Sequence, residues 1–179
     1  MVTLAVLVVL LTGALLRSLR PRLPRRREPG HGRILVPFLG RLDPTVLDAA
    51  IRIARAEDAV LVPAYLLIVP LEYAEDSPLS RGVAVAMPAL EAVEHAALRA
   101  GVVVDARIEK GRAPTHALRR LWDVEHFDRI VAPAPASSSS GFTPKDLAWI
   151  LANAPTETLV LKPAPISTPA RRQAAGAMP

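Results

Sequence analysis

The chain contains no cysteine. A disulfide scaffold, a thiolate zinc site, an iron–sulfur cluster and a cysteine nucleophile are therefore all excluded. Aromatic residues are scarce: two Trp, two Tyr and three Phe lie scattered singly through 179 residues. That leaves no base-stacking platform for single-stranded nucleic acid. A basic surplus is missing from the central region as well, where residues 34–163 carry 13 Lys and Arg against 16 Asp and Glu. A nucleic-acid binder carries its positive charge on the folded domain, so nucleic acid is not expected as a partner. What the chain has in quantity is aliphatic surface. A hydrophobic content of 51% rules out disorder of the whole, and the length fits one domain with extensions.

The overall charge of +5 comes from the ends. Residues 1–33 hold seven Arg and a single acid, Glu28, and the tail adds Arg171 and Arg172. From Met1 to Leu16 no residue is charged, and six arginines (17, 20, 22, 25, 26 and 27) come after them. A helix of this length spans roughly 24 Å, somewhat less than the ~30 Å hydrocarbon core, a gap that snorkelling and local thinning close at modest cost. No Lys or Arg precedes the apolar run, unlike the basic start of an export signal. The expectation is a transmembrane signal anchor over residues 1–16, single-pass in the cell membrane. The arginines would hold the remainder in the cytoplasm. A cleaved export signal, and a mis-called start or buried helix, are the alternatives. Residues 17–32, rich in Arg and Pro, read as an extended juxtamembrane linker, and residues 164–179 as a disordered tail.

Between them, apolar runs alternate with helical patterns. Residues 33–39, 59–69, 102–109, 127–134 and 157–162 read as strands. Asp43-Pro44 opens a first helix with a cap and a proline at its first position. Residues 70–82 read as a loop, and 88–100 as a second helix stopped by Gly101. Pro114 opens a third helix, over residues 114–124. Thr143-Pro144, with Asp146 three positions after Thr143, opens a fourth in the manner of a capping box. The alternation implies an α/β fold, a parallel sheet wound with helices on both faces. Pro37, Pro63 and Pro133 fall inside strands, where each removes a ladder donor, and should lie at strand ends or bulges.

Four segments in this order resemble the universal stress protein family: RILVPFLG at 33–40, Gly111-x-x-Pro114, FDRIV at 127–131 and APTETLVL at 154–161. The resemblance covers residues 33–163 and implies a UspA-like, HUP-like domain. Its sheet would be five-stranded, parallel and doubly wound, in the order 3-2-1-4-5. Some members bind ATP at the carboxyl ends of strands one and four. Those binders end strand one with an acid, and the matching position here is Leu39. They follow strand four with Gly-x-x-Gly and later Gly-Ser or Gly-Thr; here those pairs fall on Pro133 and Ala136, and on Pro144 and Lys145. Proline offers no N–H to a phosphate, so this departure from the family pattern implies a degenerate nucleotide site; no resident cofactor is expected, and ATP stays open as the alternative.

If an anion or nucleotide does bind, the candidates are Pro37, Gly40, Gly111, Ser137, Ser138, Ser139, Ser140 and Gly141, the serines standing in for the missing glycines. The same serines also read as a plain loop. Glu91 and His95 form an exposed helix pair, His116 lies near the expected crevice, and Asp43 reads as a helix cap. No metal site and no catalytic residue is expected, and the chain does not read as an enzyme. The expectation is a non-enzymatic, membrane-tethered stress-response or regulatory module acting through an unidentified protein partner or as a homodimer. The dimer would form through the strand at 157–162, guarded only by Glu157 and Lys162. The alternatives are an ATP- or anion-binding stress protein using the serine loop and, more remotely, an accessory domain of a transporter.

Overall fold

The computed structural model describes residues 32–75, 77–135 and 141–162. The expected anchor and tail, the linker except Gly32, and the four serines lie outside them. In chain order the elements are β1 (Arg33–Phe38), α1 (Pro44–Ala56), β2 (Val60–Ile68), α2 (Ser80–Arg99), β3 (Arg107–Gly111), α3 (Pro114–Val124), β4 (Arg129–Pro133), α4 (Pro144–Asn153) and β5 (Glu157–Leu161). They form one five-stranded sheet in the order β3-β2-β1-β4-β5, with every pairing parallel. Consecutive parallel strands need crossovers, and each helix supplies one.

Period-two alternation along β2 divides the core. Leu61, Tyr65 and Leu67 join one cluster with Val46 and Ala50 of α1 and Leu90 and Val93 of α2. Val62, Ala64 and Leu66 join another with Leu118 and Leu121 of α3 and Ile150 of α4. Both faces of the strand are therefore apolar, as in a parallel sheet covered on both sides. Three helix boundaries follow the local chemistry read from sequence. The Asp43 side chain accepts from Thr45 N at 2.8 Å, and Thr143 and Asp146 complete a reciprocal capping box. Gly101, at φ +73°, ends α2; Val102 N donates to Ala97 O and Gly101 N to Leu98 O, a Schellman motif.

Helix α2 begins eight residues earlier than expected and carries Pro88 in its interior. Ala84 and Pro88 both lie on the exposed side, so water reaches the carbonyl that proline leaves without a donor.

The prolines in the strands follow a backbone rule. Along a parallel strand, successive residues turn their N–H and C=O groups to alternate neighbours. Leu61 N donates to Val103 O and Leu61 O accepts from Asp105 N, both at 2.9 Å, so Pro63 also faces β3. Pairing on that side lapses between the Leu61–Val104 bridge and Ala64–Arg107. Pro63 thus lies in the interior of β2, neither at an end nor at a bulge, and β3 is shortened to Arg107–Gly111 because the donor is missing there. Pro133 does stand at its strand's end.

Candidate functional site

In this strand order the chain reverses its winding direction between β1 and β4, and ligands of open α/β sheets bind outside the carboxyl ends at such a switch point. Arg33 O accepts from Asp128 N at 2.9 Å, so Arg33, Leu35 and Pro37 face β4. The β1–β4 pairing stops at Leu35–Ile130, one step before Pro37 would have had to donate. On the opposite wall, Ala134 N donates to Leu161 O at 2.8 Å, which turns Pro133 toward β1. The seam therefore opens toward the switch point between two ring nitrogens, neither of which bears a proton.

Several described residues next to the seam have structural roles of their own. Leu39 packs against the cluster beneath α3 and α4. Gly40, at φ +62°, makes the turn out of β1, and Asp43 spends its carboxylate on the cap of α1. Phe142, 2% exposed, ties the segment after Gly141 into the core. At the head of α4, Asp146 Oδ2 accepts from Thr143 N at 3.0 Å and from Thr143 Oγ1 at 2.6 Å. A carboxylate already lies at that helix N-terminus, where a bound anion would have to sit, and Pro144 removes one of its donors.

Gly111 stands elsewhere, at the end of β3. A Cβ there would lie 2.7 Å from Ala117 N and 3.0 Å from Ala117 Cα, so close packing of α3 by itself demands glycine. His116 is not in the seam either. Its Nδ1 lies 3.4 Å from Glu75 Oε1, which also accepts from Arg120 Nη1 at 2.9 Å. Glu91 and His95 are exposed on α2, as expected.

Two charged assemblies are not legible in the sequence. Arg112 donates to the carbonyls of Val69, Pro70 and Tyr73, and Lys110 Nζ donates to Ser77 O at 2.6 Å, pinning the loop between β2 and α2. At the amino end of the sheet, Arg33 Nη2 bonds Asp105 Oδ2 at 2.8 Å and Glu125 Oε2 at 3.0 Å. Arg107 Nη2 bonds Asp105 Oδ2 and Glu125 Oε1, both at 2.8 Å. Partial burial pushes the Asp105 carboxyl up, yet hydrogen bonds and charge from Arg107 and Arg33 outweigh it and hold the group below the usual carboxylate range. The only sequence signal of this ring is the Asp105-x-Arg107 spacing.

Three solved structures share the architecture. A universal stress protein from Burkholderia pseudomallei superposes with a TM-score of 0.53 at 22% identity, over 74% of this chain and 98% of its own. A universal stress protein in complex with cAMP gives 0.55 at 23% identity, over 74% and 97%. One from Archaeoglobus fulgidus in complex with dAMP gives 0.56 at 12% identity, over 73% and 97%. The chain has the universal stress protein fold. No family model and no curated protein matches the sequence.

Pro37 and Gly40 stand at the carboxyl end of β1, Gly111 lies at the end of β3, and Gly141 precedes α4. Ser137, Ser138, Ser139 and Ser140 lie outside the described residues. Two shallow depressions on the described surface lie away from the seam. One is lined by Glu94, Leu98 and residues 101–104, the other by Glu75, Ile108, Glu109, Lys110 and Arg120.

Proposed function

We propose that this protein is a membrane-tethered, non-enzymatic regulatory module of the universal stress protein fold, with a nucleotide site that has degenerated. The observation that carries the reading is the seam: Pro37 and Pro133 turn toward it without an N–H, and Leu39 occupies the acid's position. Phosphate binding at a switch point needs converging backbone donors. Two of the similar structures hold cAMP and dAMP, and this seam departs from such a site in both donors and charge.

The tether is supported by the uncharged residues 1–16 and the six arginines after them, a charge pattern that keeps the rest of the chain in the cytoplasm. No helix among the described residues is long and apolar enough to cross a membrane. With the seam unsuited to phosphate, output falls to protein contacts. β5 is an edge strand of the sheet, and its outer side is available to a second copy.

Calorimetry with ATP on the full chain tests the reading. The expected result is no micromolar binding, in the native protein or in Leu39→Asp, because restoring the acid leaves the seam without donors. Micromolar affinity that disappears when residues 137–140 are deleted would overturn it in favour of an ATP-binding protein using the serine loop.

A further inference from the structure

We propose that the amino end of the sheet, where Leu98 and Val103 are exposed, rests on the lipid surface to which residues 1–16 tie the chain; the inference rests on the tether proposed above. Leu98 and Val103 are 67% and 63% exposed, and both line the shallow depression beside Gly101 and Val104. Together they put exposed aliphatic surface at one end of the domain.

The backbone shows which end this is. Val60 N donates to Gly32 O at 2.7 Å, and the next residue, Leu61, donates to Val103 O at 2.9 Å. The chain therefore arrives from the anchor only two strand spacings, about 10 Å, from Val103. Helices α1 and α2 run back toward this same end, and their last turns present Arg55 and Arg99, both exposed. Of the acids at this end, Asp105 and Glu125 pair with Arg33 and Arg107, and Glu57 and Glu157 with Arg129, while Asp58, Asp123 and Asp128 are exposed. Glu94, on the depression's rim, is partly buried.

Exposed aliphatic residues beside exposed arginines are what a phospholipid interface accepts, the apolar groups entering about 5–10 Å and the guanidiniums staying at headgroup level. Two such side chains would not hold a free domain on a bilayer. A linker of 16 residues changes the balance, because it raises the effective concentration of the surface to about the millimolar range. At the opposite end, Leu71 is 86% exposed but follows β2 at the carboxyl edge, away from the point of attachment.

Because the chain lacks cysteine, single-cysteine variants of the full protein report one position each. Val103→Cys and Leu71→Cys are labelled with a nitrobenzoxadiazole probe and reconstituted in vesicles of phosphatidylcholine with a minority of phosphatidylglycerol. The expected result is blue-shifted emission at position 103, severalfold quenched by doxyl-labelled lipid, with water-like, unquenched emission at position 71. Equal, water-like emission at both positions in protein that floats with the vesicles after carbonate washing overturns this inference and leaves the tether standing. Blue-shifted emission at 103 that doxyl lipid does not quench places protein against the patch and overturns it too. Protein that fails to float overturns the tether and the inference together.

Discussion

Pro37 and Pro133 turn their ring nitrogens toward the same seam from opposite strands, and the β1–β4 ladder ends one step short of Pro37. Restoring a donor at position 37 should therefore close the seam by one rung. In Pro37→Val the new amide is expected to bond Val131 O and to show slow hydrogen exchange by NMR. Net stability should change by less than about 1 kcal/mol, since a hydrogen bond worth about 1 kcal/mol is offset by the freer unfolded chain. Rapid exchange at that amide would show that something other than the missing donor parts the strands.

Gly111 and Gly101 are required for different reasons, and their substitutions should behave differently. Gly111→Ala meets the backbone of α3, which cannot move aside as a side chain can. A cost of about 1–3 kcal/mol and a fall in Tm of roughly 3–10 °C are expected. Ala117→Gly should rescue little of it, because the nearest atom is Ala117 N. Gly101→Ala meets open space but retains φ +73°, costing about 1 kcal/mol. Gly101→Asn should cost less, since asparagine tolerates that conformation. Calorimetric unfolding of the four variants distinguishes the two mechanisms.

The ring at the amino end of the sheet should give the protein a step in acid stability. Arg107 and Arg33 hold the Asp105 carboxyl below its ordinary value in the folded state. The unfolded state thus binds the proton more readily, and the stabilisation is complete above the unfolded value of about 3.9. It is lost as the pH falls through the lower, folded value. Asp105→Asn is expected to lower denaturant midpoints at neutral pH and to flatten their fall below about pH 4. A native-like pH profile in Asp105→Asn would remove the ring from the account.

Self-association through β5 is testable at one residue. Leu161 O bonds Ala134 N, so Leu161 faces β4 and Val160 turns its N–H to the open edge. Arg129 engages Glu157 at 2.6 Å, which occupies one of the two charges guarding that edge. Antiparallel pairing of two copies would set Glu157 of one against Lys162 of the other. Val160→Pro removes an outward donor without touching the β4 ladder, and is expected to convert a dimer into a monomer in sedimentation of the detergent-solubilised chain. A monomeric native protein, or a dimer unchanged by Val160→Pro, would exclude this interface.

By itself the sequence determined the elements and their order, because those depend on local chemistry. The Asp43 cap, the Thr143–Asp146 box and the Gly101 stop act within five residues of chain. Continuous apolar runs then mark the central strands as covered on both faces, and the parallel, doubly wound arrangement comes from the regular succession of strand and helix. That Leu39 and Pro133 stand where a family pattern has an acid and a glycine was legible too.

Tertiary structure alone decided what depends on register. Whether a proline's missing N–H falls on a paired or an open side is set by backbone alternation counted from the neighbouring strand. Hence the interior position of Pro63, the shortness of β3 against its apolar run and the opening beside Pro37 are all invisible in the sequence. The ring of Arg33, Asp105, Arg107 and Glu125 joins residues up to 92 positions apart, and the need for glycine at 111 arises from a helix that packs back on the strand's end. In each case the deciding contact is between groups that the chain keeps distant and the fold brings within bonding range.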